Sequence, residues 1–359
     1  MRKPLLPGLA AAALLVAVVV TPARAEGAVL HAGSPLAVPG SYIVTLKPGA
    51  TPPVTADRVF AGGFSVKASA REARRLAAHP GVEHVEQDQY VHALATQPDA
   101  PWGLDRIDQR ALPLDTTYSY TSTGATTSVY VIDTGIRTTH VEFGGRAFHG
   151  WDAVDNDPVA QDDNGHGTHV AGTIAGRTYG AAKGVDVYGV RVLNAQGSGT
   201  ISGVIAGVDW VAAHARKPAV ANFSLGGGAS TALDDAVRRL IASGVTASVT
   251  AGSSGSGTVN TSPARVAEAL TSGATTATDA RASFSNYGSG VDLFAPGVNI
   301  KSAWHTSDTA TNTLSGTSMA TGFVSGVAAR FLQFNPTATP AQVHAELVRE
   351  ATPLPWGGR

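Results

Sequence analysis

An α/β fold, with a mostly parallel sheet flanked by helices on both faces and a small α+β unit ahead of it, is predicted by three features of the 359-residue sequence. From Trp102 onward, apolar runs of strand length alternate with helical ones, which is the order of a parallel sheet whose crossovers are helices. Runs such as Val129-Tyr-Val-Ile-Asp133 have the composition of buried strands. Ahead of them, residues 41–92 place one helical stretch between two strand-like ones and close on a polar joint.

Taken in order, residues 1–25 join Arg2 and Lys3 to an apolar run from Leu9 to Val20 and to Ala23-Arg24-Ala25, the pattern of a cleaved secretory signal peptide. The apolar run falls short of the roughly 20 residues that a membrane span requires. Residues 26–95 form a second segment, structured over about 41–92. Ser41–Leu46 has strand composition, Ser69–His79 is helical and stops at Pro80-Gly81, and Val82–Val91 returns as a strand. Ala95–Pro101 reads as an exposed, cleavable linker, and residues 96–359 as the main domain. There, strands are expected at 129–133, 187–192, 219–223 and 245–250. Helices are expected to open at His169 and to cover 201–214, 233–243 and 318–334, the last stopped by Asn335-Pro336.

Composition narrows the function. Net charge is −1 with 15% charged residues, so nothing steers the chain to nucleic acid or to an anionic membrane surface, and a neutral partner such as a peptide fits better. There is no cysteine, which removes disulfides, thiol nucleophiles and thiolate metal sites from consideration.

Three motifs carry chemistry. Asp133 ends an apolar strand and precedes Thr134-Gly135, which puts a carboxylate at the C-terminal edge of the sheet, where open α/β folds keep their sites. Asn164-Gly-His-Gly-Thr-His-Val-Ala-Gly172 flanks His166 with glycines at a helix start. The positive helix end disfavours an imidazolium there and suits a neutral base. A metal pair of His166 and His169, with Asp162 and Asp163 nearby, is the alternative for this stretch. Ser315-Gly-Thr-Ser-Met-Ala-Thr321 sets Ser318 in the first turn of a long apolar helix, near backbone N–H groups able to hold an oxyanion. A serine hydroxyl is a poor nucleophile until a base takes its proton and a carboxylate orients that base. The three motifs therefore gain meaning together, and their order, Asp, His, Ser, is that of subtilisin rather than of chymotrypsin or the α/β-hydrolases.

On these residues the chain resembles the subtilisin-like serine proteases, peptidase S8, in the branch of proteinase K and aqualysin, from Pro101 to about Thr352. Tyr188–Leu193, Ala221–Gly228 and Ser283–Gly288 belong to the same likeness. The resemblance implies a secreted serine endopeptidase acting on protein and peptide substrates through an acyl-enzyme on Ser318, with His166 moving the proton and Asp133 holding the ring. It implies that an extended substrate adds as a strand to Gly197-Ser198-Gly199 and Ser224-Leu225-Gly226. A first specificity pocket, open to a large apolar side chain, would be walled by Ser224–Gly227 and Thr250-Ala251-Gly252. It also makes residues 26–95 an inhibitory prodomain and the chain's own partner, cleaved near Ala95-Thr96. No stable membrane association is expected, and a monomer is.

The sequence departs from the family at several points. Ser253 stands where relatives carry the asparagine whose amide donates to the oxyanion, with the Ser318 backbone as the other donor. In subtilisin the loss of that amide costs about 10²–10³ in kcat, so a slowed enzyme is expected. Gly322 replaces a helix-starting proline and is expected to loosen Ser318. The positions of relatives' disulfide cysteines read Asp163, Ala195, Val259 and Gly290, and relatives continue beyond the point matched by Arg359. Structural Ca²⁺ is implied at Asp105, Asp108, Gln109 and Asp115, and at Asp292 with the carbonyls of Ala267 and Ala269, since hard oxygens suit that ion. An impaired or inactive peptide-binding homologue, and a catalyst of acyl transfer or ester hydrolysis, are the alternatives.

Overall fold

A computed structural model describes residues 26–34, 36–91 and 94–358. The signal-peptide reading of residues 1–25 lies outside them. The chain divides into two compact units, at Val91 and His92.

In the first unit, β1 (Val29–Leu30), β2 (Ala37–Leu46), β3 (Arg58–Phe60), β4 (Gly63–Lys67) and β5 (Val82–Gln89) form one sheet in the order β1-β5-β2-β4-β3. Helix α1 (Ala70–Ala77) begins with a capping box in which the Ser69 hydroxyl accepts from Glu72 N–H and the Glu72 carboxylate accepts from Ser69 N–H. Ala73 and Leu76 of α1 pack on Tyr42, Val44, Phe64, Val66, Val82 and Val85, a core belonging to this unit alone.

In the second unit, the stretch read as a linker is an edge strand from its first residue. β6 (Ala95–Pro98) pairs antiparallel with β7 (Thr117–Tyr120), with α2 (Trp102–Asp108) between them. The main sheet contains β8 (Ser128–Asp133), β9 (Ala147–Asp152), β10 (Asp186–Arg191), β11 (Ala219–Phe223), β13 (Thr246–Thr250), β15 (Leu270–Thr275) and β16 (Leu293–Pro296), after the short β12 (Gly227–Gly228) and β14 (Thr261–Ser262) are set aside as their own pair. Its order is β16-β15-β13-β11-β8-β10-β9, and every pairing is parallel. Crossover helices are α3 (His166–Ala175), α4 (Ile201–His214) and α5 (Thr231–Ala242). A hairpin of β17 (Ile300–Ala303) and β18 (Thr311–Leu314) precedes α6 (Thr317–Phe334) and α7 (Pro340–Glu350).

Alternation along β8 divides the core between the two faces. Val129 and Val131 join α3 and α6, while Tyr130 and Ile132 join α4 and α5. All six residues of β8 are buried, as a central parallel strand requires. The chain leaves β8 for β9 and β10 on one side, then crosses to β11 on the other. The C-terminal end of β8 is thus the switch point of the sheet, where Asp133 stands.

Gly322 has a packing reason. It is buried in α6 against α3, where a Cβ would lie 3.2 Å from Thr173 Cγ2 and 3.5 Å from the Val170 carbonyl. Its missing side chain lets these two helices approach, and they carry His166 and Ser318.

Candidate active site

The carboxylate of Asp133 is fully buried at the end of β8, and its Oδ1 accepts from the Thr134 N–H at 2.8 Å. The same oxygen lies 2.7 Å from His166 Nδ1. His166 is the first residue of α3, three positions earlier than the sequence suggests, and follows Gly165 at φ 110°, a left-handed conformation that glycine adopts freely. Gly167 then passes so close to the strand end that a Cβ would sit 2.2 Å from the Gly135 carbonyl oxygen.

Asp162 fastens this crossing, a role the sequence did not disclose. Its Oδ1 accepts from the Asn164 and Gly165 N–H groups and from the Thr134 hydroxyl, and its Oδ2 accepts from Thr168 N–H and Oγ1–H. The Thr134 hydroxyl in turn accepts from Gly167 N–H at 2.9 Å. One buried carboxylate therefore ties the end of β8 to the first turn of α3. The metal-pair alternative does not hold: His169 is buried and bonds through Nε2 to the Ile300 carbonyl at 3.0 Å, burial pushes it down to about 4, and Asp163 faces Arg191.

Burial is the largest single influence on His166 and favours the neutral ring, but the charge of Asp133, its hydrogen bond and the charge of Asp162 together prevail and raise the pKa. The carboxylates thus outweigh the burial of the ring. A base must be neutral to take a proton, so the acid limb of kcat/KM should lie above the ordinary histidine value of about 6.5. Asp162→Asn removes one raising charge, and the limb is expected to move to lower pH. Its position does not depend on how much protein folds, and an unmoved limb would remove Asp162 from the electrostatics of His166.

Ser318 is the second residue of α6, after Gly316 and Thr317. Its hydroxyl donates to the Ser224 carbonyl at 3.1 Å, and the Ser224 hydroxyl donates back to the Ser318 carbonyl at 3.0 Å. The single O–H of Ser318 thereby points to the Ser224 carbonyl, and it must turn to the imidazole before its proton can be taken. Behind this pair, Asn222 Nδ2 donates to Ser224 Oγ, and Ser325 Oγ donates to Asn222 Oδ1.

Ser224-Leu225-Gly226 leaves the C-terminal end of β11, and Gly197-Ser198-Gly199 follows β10, so the two segments flank β8. The latter is a turn closed by Gly197 N–H to the Asn194 carbonyl, with all three residues exposed. Thr250 turns its hydroxyl toward Thr317, and Ala251 is buried, so only the backbone of this segment and Gly252 can face a substrate. Asn286, a second hub without a sequence signal of its role, donates to the Ala251 carbonyl and accepts from Ser254 and Ser256 N–H. It fixes the loop that carries Ser253.

Residues 124–358 match the family model described as Subtilase family. The chain belongs to the subtilase family. Residues 57–94 match the model of peptidase inhibitor I9, so this subtilase carries an inhibitor-type prodomain. It is 52% identical to an extracellular serine proteinase of Thermus sp. (strain Rt41A), over 91% of this chain and 88% of the relative. It is 56% identical to alkaline serine exoprotease A of Vibrio alginolyticus, over 81% of this chain and 55% of the relative. The crystal structure of a cold-adapted subtilisin-like serine proteinase, at 58% identity, superposes with a TM-score of 0.70 over 71% of this chain and 92% of that one. The subtilase is accordingly a serine-type endopeptidase with peptide substrates, and the subtilisin-like fold expected from the sequence is the fold found. No helix of the described residues is long and apolar enough to cross a membrane.

The residues expected to bind calcium divide in two. Asp105 accepts from Asp115 and Thr116 N–H, Asp108 Oδ2 accepts from Ser119 N–H, and Asp115 Oδ1 accepts from Thr117. Gln109 donates through Nε2 to the Pro113 carbonyl. Asp108 Oδ1 is buried with no partner, and burial, with the charges of Asp115 and Asp105, raises the pKa of this carboxyl. An unpaired buried oxygen among like charges suits a hard cation. Yet among the described residues no three His, Asp or Glu side chains are gathered closely enough to hold an ion. At the second place, Asp292 is already engaged, by Thr271 N–H at 2.8 Å and by His344 Nε2 at 3.2 Å. His344 thus competes with a cation for the carboxylate that the expected site at Asp292, Ala267 and Ala269 would use.

Proposed function

We propose that this chain is the precursor of a secreted endopeptidase that cleaves peptide bonds through an acyl-enzyme on Ser318. The observation that carries the reading is the 2.7 Å contact of His166 Nδ1 with the buried Asp133, which leaves Nε2 as the base. Ser318, turned from Ser224 to His166, gives up its proton and attacks the scissile carbonyl. His166 then returns the proton to the leaving amine, and a water repeats the sequence to release the acyl group. The Ser318 N–H, in the first turn of α6 with no partner inside the helix, is a donor to the oxyanion.

Peptide backbone adds between Gly197–Gly199 and Ser224–Gly226, where exposed glycine lets another strand approach. The prodomain inhibits until the joint near Ala95-Thr96 is cut, after which β6 remains paired within the peptidase unit. Secretion is supported by the name of the Thermus relative and by the pattern of residues 1–25. Labelling by a fluorophosphonate, lost in Ser318→Ala, tests the nucleophile. Equal labelling of the two proteins would assign it elsewhere.

Turnover is slower than in asparagine-bearing subtilases, because a serine hydroxyl at position 253 reaches less far than an amide. Ser253→Asn should raise kcat, and an unchanged kcat would refute the deficit. Calcium, when bound at Asp105, Asp108 and Asp115, neutralises their mutual repulsion beside the start of the mature domain and serves stability alone. At a hundredfold excess over its dissociation constant, an ion adds about 2.7 kcal/mol, or about 5–10 °C in Tm for a domain of this size. Chelator should lower the melting temperature by that amount, and superimposable melting curves would remove calcium from the account.

A further inference from the structure

The turn that follows β10 keeps its shape through its own residues. Val192 and Leu193 N–H both donate to the Asp133 carbonyl, so the loop starts from the end of β8. Asn194 then closes the turn on itself. Its N–H donates to the Ser198 carbonyl at 2.9 Å, its carbonyl accepts from Gly197 N–H at 2.8 Å, and its Oδ1 accepts from Gln196 and Ser198 N–H. Residues 195–200 are all exposed. Among the described residues, one hydrogen bond reaches residues 195–199 from outside the turn. It comes from Asn164, whose Nδ2 donates to the Ala195 carbonyl at 3.0 Å.

The other end of the same amide holds His166. Asn164 Oδ1 accepts from the His166 N–H at 3.1 Å, at the first residue of α3. The partners decide which end of the amide is which, because an N–H requires the oxygen and a carbonyl requires the nitrogen. Amide resonance keeps those two ends in one plane, so a displacement at one is felt at the other. A second contact joins the same segments, Asp163 Oδ2 with Arg191 Nη2 at 3.4 Å, but Asp163 is 57% exposed there and such a pair holds geometry weakly.

Resting on the reading that substrate backbone adds along Gly197-Ser198-Gly199, we propose that Asn164 is a positioning residue that couples the filling of that strand to the alignment of His166. A peptide paired with the exposed turn fixes where the turn stands. The Ala195 carbonyl then fixes the Asn164 amide, and the amide fixes the His166 backbone from which the ring projects. A misplacement of about 1 Å at a catalytic group is enough to change the rate, and an exposed turn with one outside bond has little else to hold it. Contacts made far from the scissile bond thus act on kcat and not on KM alone.

The test uses the mature enzyme and two chromogenic peptide amides with the same residue before the scissile bond, one too short to reach Gly197-Ser198-Gly199 and one long enough to lie along it. Both are read above the acid limb, so that a change in the His166 pKa does not enter. Lengthening the peptide should raise wild-type kcat about tenfold or more, whereas in Asn164→Ala it should lower KM and leave kcat within about twofold. Asn164→Asp keeps an acceptor for the His166 N–H but has no donor for the Ala195 carbonyl, so it should lose the kcat gain as well. It also provides the answer if Asn164→Ala does not fold. A wild-type gain retained in Asn164→Ala would overturn the coupling. A gain retained in Asn164→Asp would overturn it too, by confining Asn164 to the His166 N–H. Wild-type enzyme that is labelled at Ser318 by a fluorophosphonate yet gains neither kcat nor affinity from the longer peptide would overturn the strand reading itself, and the coupling with it.

Discussion

Asp133→Ala is expected to lower kcat by about 10⁴-fold, the scale on which the orienting carboxylate acts in serine proteases. Asp133 Oδ1 receives both the His166 ring and the Thr134 N–H, so its removal frees the imidazole to rotate and leaves two polar groups without their acceptor. The same change takes away the charge that holds the His166 pKa above its ordinary value. The acid limb of kcat/KM should therefore move to lower pH as the rate falls, since less acid then suffices to keep the ring neutral. Circular dichroism distinguishes lost chemistry from lost fold. A folded Asp133→Ala protein within tenfold of wild type would show that the carboxylate does not orient the base.

Gly167→Ala is expected to cost about 10²-fold in kcat/KM, although its side chain would contact no substrate. The new Cβ would start 2.2 Å from the Gly135 carbonyl oxygen, a backbone atom fixed by a buried strand end. Relief requires the first turn of α3 to retreat by about 1 Å, and a displacement of that size is enough to misplace a catalytic group. His166 is the neighbouring residue and must move with it. Overpacking of this kind also costs about 1–3 kcal/mol of stability, so the melting temperature should fall together with the rate. Wild-type kinetics in Gly167→Ala would mean that the helix start is free to shift without consequence to the base.

These two residues also show what could be read in advance. Asp133, His166 and Ser318 stood out because each combines a reactive group with a local pattern: a strand end, a glycine-flanked helix start, a first helical turn. Parallel topology followed from wholly apolar strand runs, and the two-core arrangement follows from alternation along β8. Asp162 and Asn286 were illegible for a common reason. Their partners lie up to 35 residues away, and a carboxylate or amide that braces loops has the same local sequence as one that faces solvent. The strand pairing at the start of the linker was not legible because β6 depends on β7, about twenty residues later, rather than on its own polar composition. Gly322 looked like a lost proline until the contact with Thr173 gave it a packing reason. The pairing of Asp292 with His344 had no sequence signal either, since α7 brings His344 to it from 52 positions along the chain.

Processing of the precursor brings nucleophile, base and prodomain under one observation. Purified wild-type precursor and its Ser318→Ala counterpart, each incubated alone and read by intact-mass spectrometry, should differ in one respect. Wild type should resolve into a prodomain fragment and a mature chain beginning near Thr96, while Ser318→Ala stays whole. Identical maturation of both proteins would contradict the claim that Ser318 does the cutting.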